Sequence, residues 1–175
     1  SEYRLATVVH QPEQLRLITQ AAPGKLDVHL KLNTGMNRLG FKPDDFPSAL
    51  SALRQARLGG LTLMTHFATA DEAAGVREQL SLFRDMTAGL SFPKSLSNSA
   101  ALIRYPETHA DWVRPGIMLY GATPFADRGA ADIGVKAAMT LTSEIIAIQN
   151  LRSGETVGYG GGFRADRAMR VGVVA

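Results

Sequence analysis

Apolar and polar positions along the first two thirds of the chain alternate between short runs and helical spacing. Leu5 to Val9 predicts a strand, and the helix after it shows Leu15, Ile18 and Ala22 on one face. Asp27 to Leu32 predicts a second strand, followed by a helix whose Phe46, Ala49, Leu50 and Leu53 recur at i, i+3, i+4 and i+7. Leu61 to His66, rich in β-formers, predicts a third strand, and Ala73, Val76, Leu80 and Phe83 fall on one face of a third helix. Lys94 to Leu96 begins a fourth strand, Ala100 to Arg104 a short helix, and Ile117 to Tyr120 a fifth strand. Strands separated by helices predict a parallel sheet with right-handed crossovers, part of an α/β barrel.

The rhythm changes after about Val135. Met139 to Ile148 is a long β-rich segment with no helix behind it, Glu155 to Phe163 holds several glycines, and Met169 to Ala175 is another apolar run. Consecutive strands joined by glycine turns predict a separate β-domain. The expected organisation is therefore residues 1–134 as a partial (β/α)8 TIM-type barrel and residues 135–175 as the start of a mostly-β domain. Five parallel strands do not close an eight-stranded barrel, and the chain stops inside an apolar strand at Val173-Val174-Ala175. The sequence is expected to be a portion of a longer protein.

Composition narrows the chemistry. The 175 residues contain no cysteine, which excludes disulfides, thiol nucleophiles and thiolate metal sites and suits a reducing cytoplasm. The net charge is +3, with basic residues scattered and not interleaved with aromatics, which argues against nucleic-acid binding. No apolar run reaches the roughly 18 residues that a bilayer requires, so no membrane partner is expected. The four histidines lie far apart and no metal-ligand spacing is present.

In parallel α/β barrels, functional groups sit just beyond the C-terminal ends of the strands. Four places meet that rule. Thr34-Gly35-Met36-Asn37-Arg38-Leu39-Gly40-Phe41 reads either as a glycine turn with a surface arginine or as a carboxylate site, since the Arg38 guanidinium offers two parallel donors. His66 reads as a structural histidine or as an imidazole covering one face of a flat aromatic cofactor, and Asp71 as a helix N-cap. Ser97-Asn98-Ser99-Ala100-Ala101 reads as a helix cap or, with Arg114-Pro115-Gly116-Ile117 following, as a phosphate site. Tyr159, within Val157-Gly158-Tyr159-Gly160, is a turn aromatic or a general base whose pKa nearby cations lower from about 10. The residues alone thus reach a phosphate-bearing ligand in a partial barrel.

Taken together and in order, the Lys31-to-Gly40 string, Thr65-His66-Phe67-Ala68, Ser97 to Ala101, Arg114 to Gly121 and Val157 to Gly160 resemble the motifs of bacterial alanine racemases. The resemblance runs over essentially the whole chain. It implies pyridoxal 5'-phosphate in the barrel mouth, interconversion of L- and D-alanine, and a cytoplasmic homodimer whose active site is completed by the other subunit's β-domain. By motif, Ser99 and the backbone of Gly116 and Ile117 would hold the phosphate. His66 would lie beside the pyridine ring, Arg114 would face its nitrogen, and Arg38 would bind the substrate carboxylate. Lys31 matches a lysine that some members carry as a carbamate. Tyr159 matches the catalytic tyrosine, which works opposite a lysine so that one base removes the α-proton and the other returns it. That cofactor lysine belongs to a motif this sequence does not contain; Lys25, Lys31, Lys42, Lys94 and Lys136 all fall outside it. The expectation is an inactive chain from an active parent. Another amino-acid racemase of the same class, or a non-catalytic cofactor-binding or interaction fragment, are the alternatives.

Overall fold

The structure is a computed structural model and describes residues 5–20 and 26–175. Ser1-Glu2-Tyr3, Ala22 of the first predicted helix face, and Lys25 lie outside the described residues. The chain divides into two units, the first ending at Ala138 and the second running from Met139 to Ala175.

The first unit is a parallel sheet of four strands in sequence order, β1 (Thr7–Val9), β2 (Asp27–Lys31), β3 (Gly60–Met64) and β4 (Lys94–Ser95). Between them run α1 (Pro12–Gln20), α2 (Phe46–Gln55) and α3 (Arg77–Met86), with α4 (Ser99–Arg104) after β4. Alternation along β2 separates Val28 and Leu30, which are buried, from His29 and Lys31 on the other face. The register aligns Val9, Leu30 and Leu63 across three strands, and each is fully buried. All four predicted apolar positions of α2 are buried, and Leu80 and Phe83 of α3 join them in one core. Burying a Leu or Phe side chain stabilises by about 1.5–3 kcal/mol, so this layer holds the sheet to its helices.

Two expectations about the elements of this unit need correction. Ile117–Tyr120 is not a strand but a 3-10 turn, in which Leu119 N–H donates to Gly116 O at 3.0 Å and Gly121 N–H to Met118 O at 3.1 Å. A four-residue apolar run carries no period that separates the two forms. Its residues Ile117, Leu119 and Tyr120 are exposed. The third helix also starts later than Ala73, because a turn closed by Thr69 Oγ1 donating to Gly75 O at 2.8 Å occupies the intervening residues.

The second unit contains an antiparallel ribbon of β5 (Ile145–Leu151) and β8 (Met169–Val174), and a smaller pair, β6 (Thr156–Val157) with β7 (Phe163–Arg164). Residues 139–144, expected to open the long strand, lie outside β5. Ala165 is the one buried residue among those described in this unit.

Candidate functional site

The segments that follow the first unit's strands carry its chemistry. Lys31 ends β2 and is buried. The chain then turns through Asn33, whose Oδ1 accepts from Gly35 N–H and Asn37 N–H at 3.1 Å each. It returns at once, with Phe41 N–H donating to Lys31 O at 2.9 Å and Asn33 N–H to Phe41 O at 2.8 Å. Gly40 makes this return possible: its φ is +118°, and a Cβ there would meet Leu32 C and Asn33 N at 2.9 Å. Arg38 is carried, exposed, on the turn so formed.

Beyond β4, Asn98 caps α4 by accepting from Ala101 N–H at 3.0 Å, and its amide donates to Phe67 O at 3.1 Å. Capping therefore falls to Asn98 and leaves the Ser99 hydroxyl for another task. Ser99 Oγ accepts from Gly116 N–H at 2.8 Å, and its own proton has no protein acceptor among the described residues. Asp71 does not cap α3; Val76 holds that position without a side-chain bond, because the intervening turn delays the helix. Asp71 instead borders the same hollow as Ser99.

Arg114 is the centre of the arrangement. Its guanidinium donates to Ser95 Oγ at 2.6 Å, Thr65 O at 2.6 Å and Leu96 O at 3.2 Å, and lies 3.5 Å from His66 Nδ1. Burial pushes the arginine down to about 10, still far above neutrality. His66 is pushed down to about 4, first by burial and then by the charges of Arg114, Lys31 and Arg38. Burial, followed by Arg38 and Arg114, also lowers Lys31. The same field reaches His29, which burial lowers first and Arg114 lowers further. Among the described residues, the charges that act on His66 and Lys31 are those of cations, which favours an anion here.

A hollow of about 340 Å³ is lined by His66, Ser99, Arg114, Gly116 and Ile117, with Asn98 and Pro124 beside them. Five of the residues singled out by sequence thus meet at one cavity. A larger hollow of about 640 Å³, lined by Arg77, Glu78, Arg84, Tyr105 and Glu107, mixes both charges and contains none of the motif residues. Arg104 ties the rim of the smaller cavity together, donating to Asp71 O at 2.6 Å and to Asp127 at 3.1 Å while lying 4.0 Å from the Phe125 ring. Tyr159 belongs to the second unit, where it is fully exposed in a turn between Gly158 and Gly160. Among the described residues no group of acids, histidines and cysteines could hold a metal ion, and no helix is long and apolar enough to cross a membrane.

Sequence reading passes over Gln79, Ser95 and Thr65. Gln79 shares the buried face of α3 with Leu80 and Phe83. A glutamine at a position where helical spacing demands an apolar side chain was the available signal.

The chain matches known proteins over nearly its whole length. The family described as "Alanine racemase, N-terminal domain" matches residues 1–124, and "Alanine racemase, C-terminal domain" matches residues 138–175. The alanine racemase of Nitrosospira multiformis is 52% identical over 179 residues, covering 99% of this chain and 50% of that protein. The alanine racemase of Laribacter hongkongensis is 52% identical over 176 residues, covering 98% of this chain and 48% of its own length. Among solved structures, the biosynthetic alanine racemase of Pseudomonas aeruginosa superposes with a TM-score of 0.81 at 41% identity, over 99% of this chain and 49% of that one. The alanine racemase of Streptomyces coelicolor A3(2) does so with a TM-score of 0.78 at 31% identity, over 98% of this chain and 49% of its own. The chain spans about half the length of the curated relatives it matches. A partial parallel α/β barrel followed by β-structure, with the five motifs in order and the matches extending across both units, has one consistent reading: the chain belongs to the alanine racemase family.

Proposed function

We propose that this chain forms the cofactor-holding portion of an alanine racemase, binding pyridoxal 5'-phosphate for the interconversion of L- and D-alanine. The observation that carries the proposal is the shared cavity of His66, Ser99, Arg114, Gly116 and Ile117, where Arg114, Lys31 and Arg38 act together on His66 and Asp71 is the one acid on the lining. The residues present suit the cofactor. A phosphate ester needs hydroxyl and amide donors, and Ser99 Oγ lies beside the backbone of Gly116 and Ile117. A side chain at Gly116 would project its Cβ to within 4.0 Å of that hydroxyl, narrowing the cradle.

When bound, pyridoxal phosphate supplies an electron sink that acidifies the α-proton of an amino acid. The chain's residues then divide the work. Ser99 would give its hydroxyl proton to the phosphate, with the Gly116 backbone bracing Ser99 Oγ and the Ile117 amide donating beside it. His66, neutral at pH 7 because its pKa is about 4, offers a flat uncharged face to the pyridine ring. Arg114, still charged with a pKa of about 10, would stand as a donor toward the ring nitrogen of the bound cofactor. A charged donor there, in place of a carboxylate, would limit charge withdrawal into the ring and so favour return of the proton to the α-carbon over side reactions. Arg38 takes the substrate carboxylate. Lys31, with its pKa lowered by burial and by Arg38, is more readily deprotonated. It can then add CO2 through its amine, release a proton, and give Arg38 an anionic partner.

Tyr159 serves as the second base, acting on the cofactor of the partner subunit in a cytoplasmic homodimer. None of Lys31, Lys42, Lys94 and Lys136, nor Lys25 outside the described residues, lies in the family's cofactor-lysine motif. The 175-residue chain by itself is therefore expected to bind the cofactor without turning over alanine.

Equilibrium titration of the chain with pyridoxal phosphate, read by its absorbance, tests the assignment. Ser99→Ala is expected to weaken binding about tenfold, the worth of one charge-assisted hydrogen bond of about 1.5 kcal/mol. Equal affinity in the variant, or no saturable binding by the parent chain, would overturn the cradle. Racemisation measured with alanine, serine and lysine tests the rest; turnover by the pure chain would show that it supplies its own lysine.

A further inference from the structure

Among the described residues the His66 ring has one weak polar contact, to Arg114 at 3.5 Å, longer than a good hydrogen bond. Its place is therefore set by the backbone that carries it. That backbone is held from outside the cavity by Gln79 of α3, whose side-chain oxygen accepts from Ala68 N–H at 2.7 Å and whose amide donates to His66 O at 3.1 Å. The second amide proton goes to Thr34 Oγ1 at 3.2 Å. Both donors and the acceptor of the glutamine are thus committed, which fixes the amide's orientation.

The chain of bonds continues with a direction. Thr65 Oγ1 donates its single proton to Leu32 O at 3.0 Å. The 2.7 Å contact between the two threonine hydroxyls must then run from Thr34 to Thr65. With Thr34 donating onward, its lone pair is free to receive the Gln79 proton. The order is Gln79 to Thr34 to Thr65 to the carbonyl of Leu32, and Gln79, Thr34 and Thr65 are all buried. One side chain outside the cavity therefore joins the turn that leads to Arg38 with the turn that carries His66.

We infer that Gln79 is a positioning residue, which holds the backbone on either side of His66 and keeps its imidazole beside Arg114. The inference rests on the reading of His66 as the histidine that faces the cofactor. The charged groups around that imidazole are Lys31 from β2, Arg38 from the following turn, Arg114 from the segment after β4, and Asp71 across the cavity.

The test is the titration of the His66 ring by NMR in the full 175-residue chain, compared with Gln79→Leu and Gln79→Met. Both variants remove all three bonds without adding a charge near the ring, and methionine keeps the unbranched length of the side chain. In either folded variant, release of the ring from its buried place and from the cations around it is expected to raise its titration midpoint by at least about one pH unit, a tenfold gain in proton affinity. His29 on β2, which burial and Arg114 also lower, should keep its midpoint and so report an intact fold. A His66 midpoint unchanged in a folded variant, even one with a lower melting temperature, overturns the inference and leaves Gln79 a packing residue. Should Gln79→Leu fail to fold, Gln79→Met, which is charge-neutral and removes the same three bonds, decides alone. The measurement needs no cofactor. A chain that never binds pyridoxal phosphate would refute the proposed function without touching this result, and normal binding with an immobile midpoint would refute only this inference.

Discussion

At Gly40 a single hydrogen atom decides whether the Arg38 turn exists. The backbone of Lys31 to Asn33 approaches so closely that a methyl group would collide with main-chain atoms, and φ is +118°. Gly40→Ala is expected to cost about 1–3 kcal/mol, from combined strain and displacement, measured as a lower urea midpoint. Gly89→Ala, also at positive φ but with open space around it, should cost about 1 kcal/mol. His66 makes a different contribution, which depends on pH. Its folded pKa of about 4 lies below its ordinary 6.5, so the unfolded chain binds the proton more readily. Stability from this group is intact above pH 6.5, is lost as pH falls toward 4, and falls no further below that. Urea midpoints collected between pH 4 and 7 should show this slope, and His66→Gln should flatten it. Arg114, His66 and Ser99 were legible as sequence because each closes or follows a strand within a short motif. Gln79 was not, since its partners, Ala68, His66 and Thr34, come from segments that no local pattern connects to α3.

Among the elements, helices with a full apolar face were the most readable. Phe46, Ala49, Leu50 and Leu53 are all buried in α2 as their spacing requires. Leu53→Ala is accordingly expected to destabilise by about 2–5 kcal/mol through the cavity it leaves. Leu17→Ala on α1, where the side chain is 54% exposed, should change stability by less than about 1 kcal/mol; thermal or urea melts of both variants check the contrast. Ile117–Tyr120 was misread because four apolar residues after Pro115-Gly116 suit a strand and a tight turn equally. What decides between them is the carbonyl of Gly116, which accepts from Leu119 N–H. The late start of α3 has a similar origin: Thr69 and Gly75 close a turn by a side-chain bond, which periodicity does not register.

For the whole molecule, the two units differ in how they are supported. The first has a continuous core of sheet and helices, whereas the second buries only Ala165 among its described residues. A two-stranded ribbon is marginal in water without a packed face. Amides of β5 and β8 are therefore expected to exchange with deuterium much faster than those of β2 and β3; equal protection in both would show that the ribbon is covered in solution. The apolar residues Ile145, Ile146, Ile148, Val173 and Val174 were visible in the sequence as strand-formers, but their exposure was not, since alternation reports pairing and not what covers the pair. The order of the parallel sheet has one more consequence. Each of its strands pairs with its immediate predecessor in the chain. As the polypeptide leaves the ribosome, every new strand finds its neighbour already made, so the sheet can grow in the direction of translation without waiting for distant segments.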